Sequence, residues 1–185
     1  MGMPDTVRRY TADEVLAWPK DGNRYEVVDG ELLVTPSPAQ KHEMVRWRLM
    51  GLLFGYLQPY QTIAIGFAAP ADIIWSTYEY VQPDLLVVPR NDVTGDWRDC
   101  RNLLLAIEVI SPSSARGDRL KKRQLYQRRG VRTYWLVDPD AQLIEVWHPE
   151  DERPEIVSDV ARWRLAPDLP EMHIDVPKLF SDLPG

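Results

Sequence analysis

Apolar and polar positions fall into blocks whose period changes several times along the chain, and each block predicts an element. Thr11-Ala12-Asp13-Glu14 has the form of a capping box and opens a short helix that Pro19 stops. Residues 25–28, Asp29-Gly30 and residues 31–34 predict a β-hairpin, because Asp-Gly tolerates the positive φ angles of a two-residue turn. Ser37-Pro38 has the form of an N-cap followed by proline at the first helical position. Met44, Trp47, Leu49, Leu52, Leu53 and Tyr56 then recur near helical spacing, so a long amphipathic helix is expected over about 39–57. Residues 62–67 alternate weakly, and 71–75 and 85–88 are compact apolar runs. Residues 103–110 are almost wholly apolar, as in a central strand buried on both faces. A helix over about 114–129 ends at Gly130. Residues 131–137 and 143–147 predict two further strands around an Asp138-Pro139-Asp140 turn. Beyond about 149 only one weak strand is expected, at 162–165. This order predicts an α/β fold with a mixed sheet rather than a regular doubly wound one.

Composition narrows the class. A chain of 185 residues that is 44% apolar suits one domain with a real core. That core is expected over about 10–150, with 151–185 as an acidic, proline-rich extension. Cys100 is the single cysteine, which excludes an intrachain disulfide framework and fits a reducing compartment. The first residues lack an apolar leader core, and no apolar run approaches the roughly 18–20 residues of a membrane helix. A soluble, cytoplasmic protein with no membrane partner is therefore expected. The net charge of −6 argues against a general nucleic-acid coat protein, yet it hides an asymmetry. Residues 116–132 hold eight bases against the single acid Asp118, and residues 138–185 hold twelve acids against four bases. The basic stretch, with Arg116, Arg119, Lys121 and Arg123 at its start, suits either a phosphate-facing surface or a solvated helix face.

Three positions carry candidate chemistry. Glu108 interrupts the apolar run 103–110, where a carboxylate is costly unless it is paired or binds a metal. Asp84 stands immediately before the apolar run 85–88, where it could also be a strand-edge or capping aspartate. Two strand-borne carboxylates 24 residues apart suit neighbouring strands of one sheet, and hard oxygen ligands with positions left to water are what Mg²⁺ accepts. Two such carboxylates would repel, so Glu108→Gln would stabilise the metal-free fold. On the helix that follows, Asp118, Lys122 and Tyr126 share one face at i, i+4 and i+8; this is an ordinary helix pair or a face turned toward Glu108. Glu26 is either a third carboxylate of the site or a solvent-facing hairpin residue, and Asp72 reads as structural or supporting. His42, His148 and His173 have no zinc-ligand spacing.

Pro83-Asp84, 23 intervening residues and Glu108-Val109-Ile110 resemble the PD-(D/E)XK, restriction-endonuclease-like superfamily. The ordered set Tyr25–Leu32, His42, Gln82-Pro83-Asp84-Leu85, Glu108–Ser113, Asp118, Lys122, Tyr126, Gly130-Val131 and Tyr134–Pro139 is similar to the Uma-two branch of bacterial endonucleases, over about residues 10–150. The resemblance implies a central mixed β-sheet flanked by helices, with an N-terminal helix and β-hairpin. It implies Mg²⁺ or Mn²⁺ held by Asp84, Glu108 and the Val109 carbonyl, with Lys122 as the catalytic cation. Glu26, Asp118, Tyr126 and His42 would lie around that site, and Arg116, Arg119, Lys121 and Arg123 would contact DNA phosphates. A homodimer or higher homo-oligomer is implied by analogy. The superfamily's lysine is expected two residues after the glutamate, where this chain has Ile110; in this branch the lysine is displaced to the next helix. The departure leaves open an alternative, an inactive nuclease-fold module that binds nucleic acid or a protein partner.

Overall fold

The alternating blocks become three layers. In the computed structural model, residues 8–111 and 117–184 are described, the side chains of 117–119 excepted. Helix α1 (Ala12–Leu16) is capped by Thr11, whose side chain accepts from the Glu14 N–H. Strands β1 (Arg24–Val28) and β2 (Glu31–Thr35) pair antiparallel across Asp29 and Gly30, both at positive φ. Helix α2 (Gln40–Leu57) starts after Ala39, two residues later than the Ser37-Pro38 signal suggests. Strands β3 (Ala64–Ala68), β4 (Ile73–Ser76), β5 (Glu79–Val81), β6 (Leu85–Pro89) and β7 (Leu105–Val109) follow. A π-helical turn (Gly117–Lys122) runs into helix α3 (Arg123–Arg128), then come β8 (Tyr134–Asp138) and β9 (Leu143–Trp147). The chain closes with β10 (Glu155–Val157), β11 (Val160–Trp163), β12 (Met172–Asp175) and α4 (Val176–Leu179).

The six-stranded sheet has the order β10-β9-β8-β7-β6-β3. Its β7–β8 pair is parallel, which requires a crossover, and the helix after β7 supplies it. All five residues of β7 are buried, as the apolar run predicts. Leu85, Val87, Leu105, Ile107 and Val109 project to one face, against Val45, Leu49, Leu53 and Leu57 of α2. Leu86, Val88, Ala106, Ile110 and Leu136 project to the other, against Leu125 and Tyr126 of α3 and against Val28, Ile73 and Val81 of the small sheet β2-β1-β5-β4. Helix α1 packs on the outside of that small sheet, where Ala12 and Val15 meet Val27 and Tyr80. Among the described residues no helix is long and apolar enough to cross a membrane.

Residues beyond 150 contribute to the main core. β12 alternates, with Met172 and Ile174 inward and His173 and Asp175 outward. Val157, Trp163, Leu165, Val176 and Phe180 join the cluster under α2. Polar contacts tie the same segment down. The Tyr56 hydroxyl donates to the Pro170 carbonyl at 2.8 Å and accepts from the Leu165 N–H at 3.1 Å, and Arg48 donates to the Leu179 and Ser181 carbonyls. Because Trp163 is only 4% exposed in this cluster, Trp163→Ala is expected to cost about 3–5 kcal/mol. Chemical denaturation followed by far-UV circular dichroism checks this; the loss should appear in one cooperative transition of the whole chain.

Candidate active site

Three carboxylates meet on the sheet face that carries the crossover helix. Leu85 pairs with Ile107 in the antiparallel β6–β7 ladder. Continuing that register by one residue sets Asp84 opposite Glu108, the relation that places two side chains on one face with Cβ atoms roughly 4.5–5.5 Å apart. Glu26 arrives from above: in β1 the residues 24, 26 and 28 share a face, and Val28 of that face is packed in the core between the two sheets. Glu26, Asp84 and Glu108 are all buried.

Each carboxylate is held. Asp84 Oδ2 accepts from the Val109 N–H at 2.8 Å, Oδ1 accepts from Arg24 Nη1 at 2.8 Å, and His42 Nε2 lies 3.5 Å from Oδ1. Glu26 Oε1 accepts from the Gln82 N–H at 2.6 Å and is ion-paired with Lys122 Nζ at 2.8 Å. Glu108 Oε1 is ion-paired with Lys122 and accepts from the Tyr126 hydroxyl at 2.8 Å, and Glu108 Oε2 faces Arg24 Nη2 at 3.9 Å. Burial alone would push Asp84 up, but the His42 hydrogen bond, the Arg24 charge and the Val109 N–H outweigh it and hold its carboxyl well below the ordinary range. Burial drives the Tyr126 hydroxyl far above its usual value, and the neighbouring Glu108 charge adds to this, so it remains a donor. For Arg24, burial opposes the charge, but Glu26, Asp84 and Glu108 more than restore it.

Of the residues singled out in the sequence, Asp84, Glu108, Lys122, Tyr126, Glu26 and His42 come together here. The Val109 N–H is directed at Asp84, and in an extended strand the carbonyl of the same residue projects to the same side. Arg116 lies outside the described residues, as do the side chains of Asp118 and Arg119. Lys121 turns away and pairs with Glu31. Arg123 lies over the Trp147 ring, 4.6 Å from its centroid. Farther along, Arg128 pairs with Asp29 and Glu79 and Arg129 with Glu79, so much of the basic stretch is engaged within the fold. Ile110 is buried in the core, and Lys122 brings its ammonium to Glu108 from the following element. Asp72 supports a small network, accepting from the Tyr80 hydroxyl and the Gln82 amide.

Arg24 was not anticipated. Its signal was the period of two in β1, which sets Arg24 on the face of Glu26. It also lines a cleft of about 700 Å³ beside α2 and the β1–β2 hairpin, with Asp84, His42, Gln82, Trp18 and Ser111 among the other walls. Glu108 and Lys122, both 0% exposed, lie behind that wall.

The chain belongs to the Uma2 family, described as "Putative restriction endonuclease", whose sequence model matches residues 12–177. That span includes every residue of the cluster. The fold is similar to the crystal structure of a putative nuclease belonging to DUF820 from Anabaena variabilis ATCC 29413, with a TM-score of 0.75 and 23% identity over 92% of this chain and 97% of that one. At that identity the likeness establishes the fold, a mixed central sheet flanked by helices. No curated protein matches the chain.

The ion pairs reverse one expectation. Glu108→Gln was expected to relieve repulsion between two unneutralised carboxylates, but Lys122 and Arg24 already neutralise them. The substitution instead removes the partner of a buried lysine, and is expected to destabilise the metal-free protein by about 3–5 kcal/mol, measured by urea denaturation in EDTA. Asp84 sets a pH dependence as well. Its folded-state pKa is depressed, so the stability it contributes is present above its unfolded value of about 3.9 and is lost as pH falls through the folded value. The gap in denaturation midpoint between wild type and Asp84→Asn should therefore close on acidification below about pH 4.

Proposed function

We propose that the protein is a divalent-metal-dependent nuclease that hydrolyses DNA phosphodiesters. The observation that carries the reading is the meeting of Asp84 and Glu108, from adjacent strands, with Lys122 from the crossover helix, directly behind a surface cleft. Among the described residues no three His, Cys, Asp or Glu side chains converge as a ready-made metal cage. The donor chemistry fits Mg²⁺ or Mn²⁺ nevertheless: two carboxylates and the Val109 carbonyl are hard oxygens, and Mg²⁺ keeps several of its waters rather than filling an all-protein shell. Bound there, such an ion would act as a Lewis acid on the phosphodiester and lower the pKa of a bound water.

The chain's own residues supply the rest. The Val109 N–H and His42 fix Asp84, and Tyr126 fixes Glu108, so both carboxylates are aimed before substrate arrives. Lys122 is held by Glu26 and Glu108 as the donor for charge building on the phosphoryl oxygens, the role that Ile110 leaves vacant. Family membership and the nuclease-like fold support DNA as the partner, and cutting two strands would suit a homodimer.

Lysine placement separates catalysis from charge. Lys122→Ala is expected to lower the rate of cleavage of supercoiled plasmid in Mg²⁺ by about a hundredfold or more, with DNA affinity nearly unchanged. Lys121→Ala should weaken binding slightly and salt-dependently and leave the rate at saturation near normal. Rates are compared at a temperature where circular dichroism shows each variant folded. Equal behaviour of the two variants would favour a non-catalytic binding module on the same fold.

A further inference from the structure

Arg24 stands where a metal would have to enter. Its guanidinium reaches all three carboxylates: Nη1 is 2.8 Å from Asp84 Oδ1, Nη2 is 3.9 Å from Glu108 Oε2, and Nε is 3.6 Å from Glu26 Oε2. Nη1 also donates to the Gln82 carbonyl at 3.1 Å. The Arg24 side chain is 17% exposed and lines the cleft, whereas those of Asp84, Glu26 and Glu108 are 3%, 1% and 0% exposed. The guanidinium therefore stands between the cleft and Glu108, next to Asp84, which lines the cleft beside it. Charge points the same way. With the His42 imidazole beside Asp84 neutral, three carboxylates face two cations, Arg24 and Lys122, in the described cluster. A divalent ion with Lys122 would match the three carboxylates without Arg24, whose guanidinium would then be free to turn to the cleft, where a phosphate anion would meet it.

We propose that Arg24 is a resident counter-cation at the metal position, and that the guanidinium and a divalent ion occupy the Asp84 and Glu108 oxygens in turn. The proposal rests on the metal-dependent nuclease reading and adds a cost to it: metal binds only to the fraction of molecules in which Arg24 has left, so the observed affinity is reduced by that fraction.

Titration calorimetry with Mn²⁺ alone tests this on the full chain without relying on cleavage. Arg24→Gln should bind Mn²⁺ about tenfold or more tightly than wild type. Arg46→Gln removes the same charge elsewhere on the cleft wall, where Arg46 pairs with Glu43 at 2.5 Å, and should change the affinity far less. Should Arg24→Gln fail to fold, the wild-type protein gives a second readout. The Arg24 Nε–Hε group, buried in the metal-free protein, should be protected from solvent exchange there and lose that protection when Mg²⁺ saturates the site. Equal Mn²⁺ affinity in wild type and Arg24→Gln, equal gains in Arg24→Gln and Arg46→Gln, or an Arg24 resonance unmoved by saturating Mg²⁺ would each overturn the exchange while leaving the nuclease reading in place. Absence of Mn²⁺ binding to wild type and Arg24→Gln alike would overturn both.

Discussion

Three carboxylates buried in one cluster must be neutralised, and that requirement shapes the packing around them. A buried charge without a partner is too costly to keep, so each carboxylate recruits donors from distant parts of the chain. Asp84 draws on β1, α2 and the backbone of β7. Glu108 draws on the crossover helix through Lys122 and Tyr126. Glu26 ties the small sheet to the same point. The cluster is thus a polar joint between two sheets that otherwise meet through apolar contacts such as Val28 and Val81 with Leu86 and Ala106.

The placement of Lys122 follows from the same geometry. Two residues after Glu108, just past the end of β7, the chain again faces the crossover helix, and there it places the apolar Ile110 in the core. The cation comes from the next element instead. A π-helical turn ends at Lys122 and gives way to α3, so Lys122 and Tyr126, four residues apart, both reach Glu108 Oε1. Lys121, the preceding residue of the π-helical turn, points to another side and pairs with Glu31 at the surface.

Much of this was legible in the sequence because local chemistry encodes it. Asp29-Gly30 announced the hairpin, and a lone glutamate in the run 103–110 announced the site. The helix face carrying Lys122 and Tyr126 could be read from spacing. What was missed depends on long-range packing. Arg24 reaches Asp84 across 60 residues, and the period of two that sets it on the face of Glu26 does not say whether that face meets solvent or the larger sheet. β5 and β10 are three residues each, too short to show a period. The C-terminal segment read as an acidic extension because its outward residues dominate the composition, while Trp163, Met172 and Ile174 alternate inward and complete the core under α2.

The proposed metal position lies between Asp84 and Glu108, beside the cleft. Anomalous diffraction from crystals soaked in Mn²⁺ addresses it directly. One strong peak is expected, bonded at roughly 2.1–2.2 Å to an oxygen of Asp84 and an oxygen of Glu108, with the Arg24 guanidinium withdrawn from both. A protein saturated with Mn²⁺ whose peak lies elsewhere, with Asp84 and Glu108 still held by Arg24 and Lys122, would contradict it and leave the cluster a structural ion-pair joint.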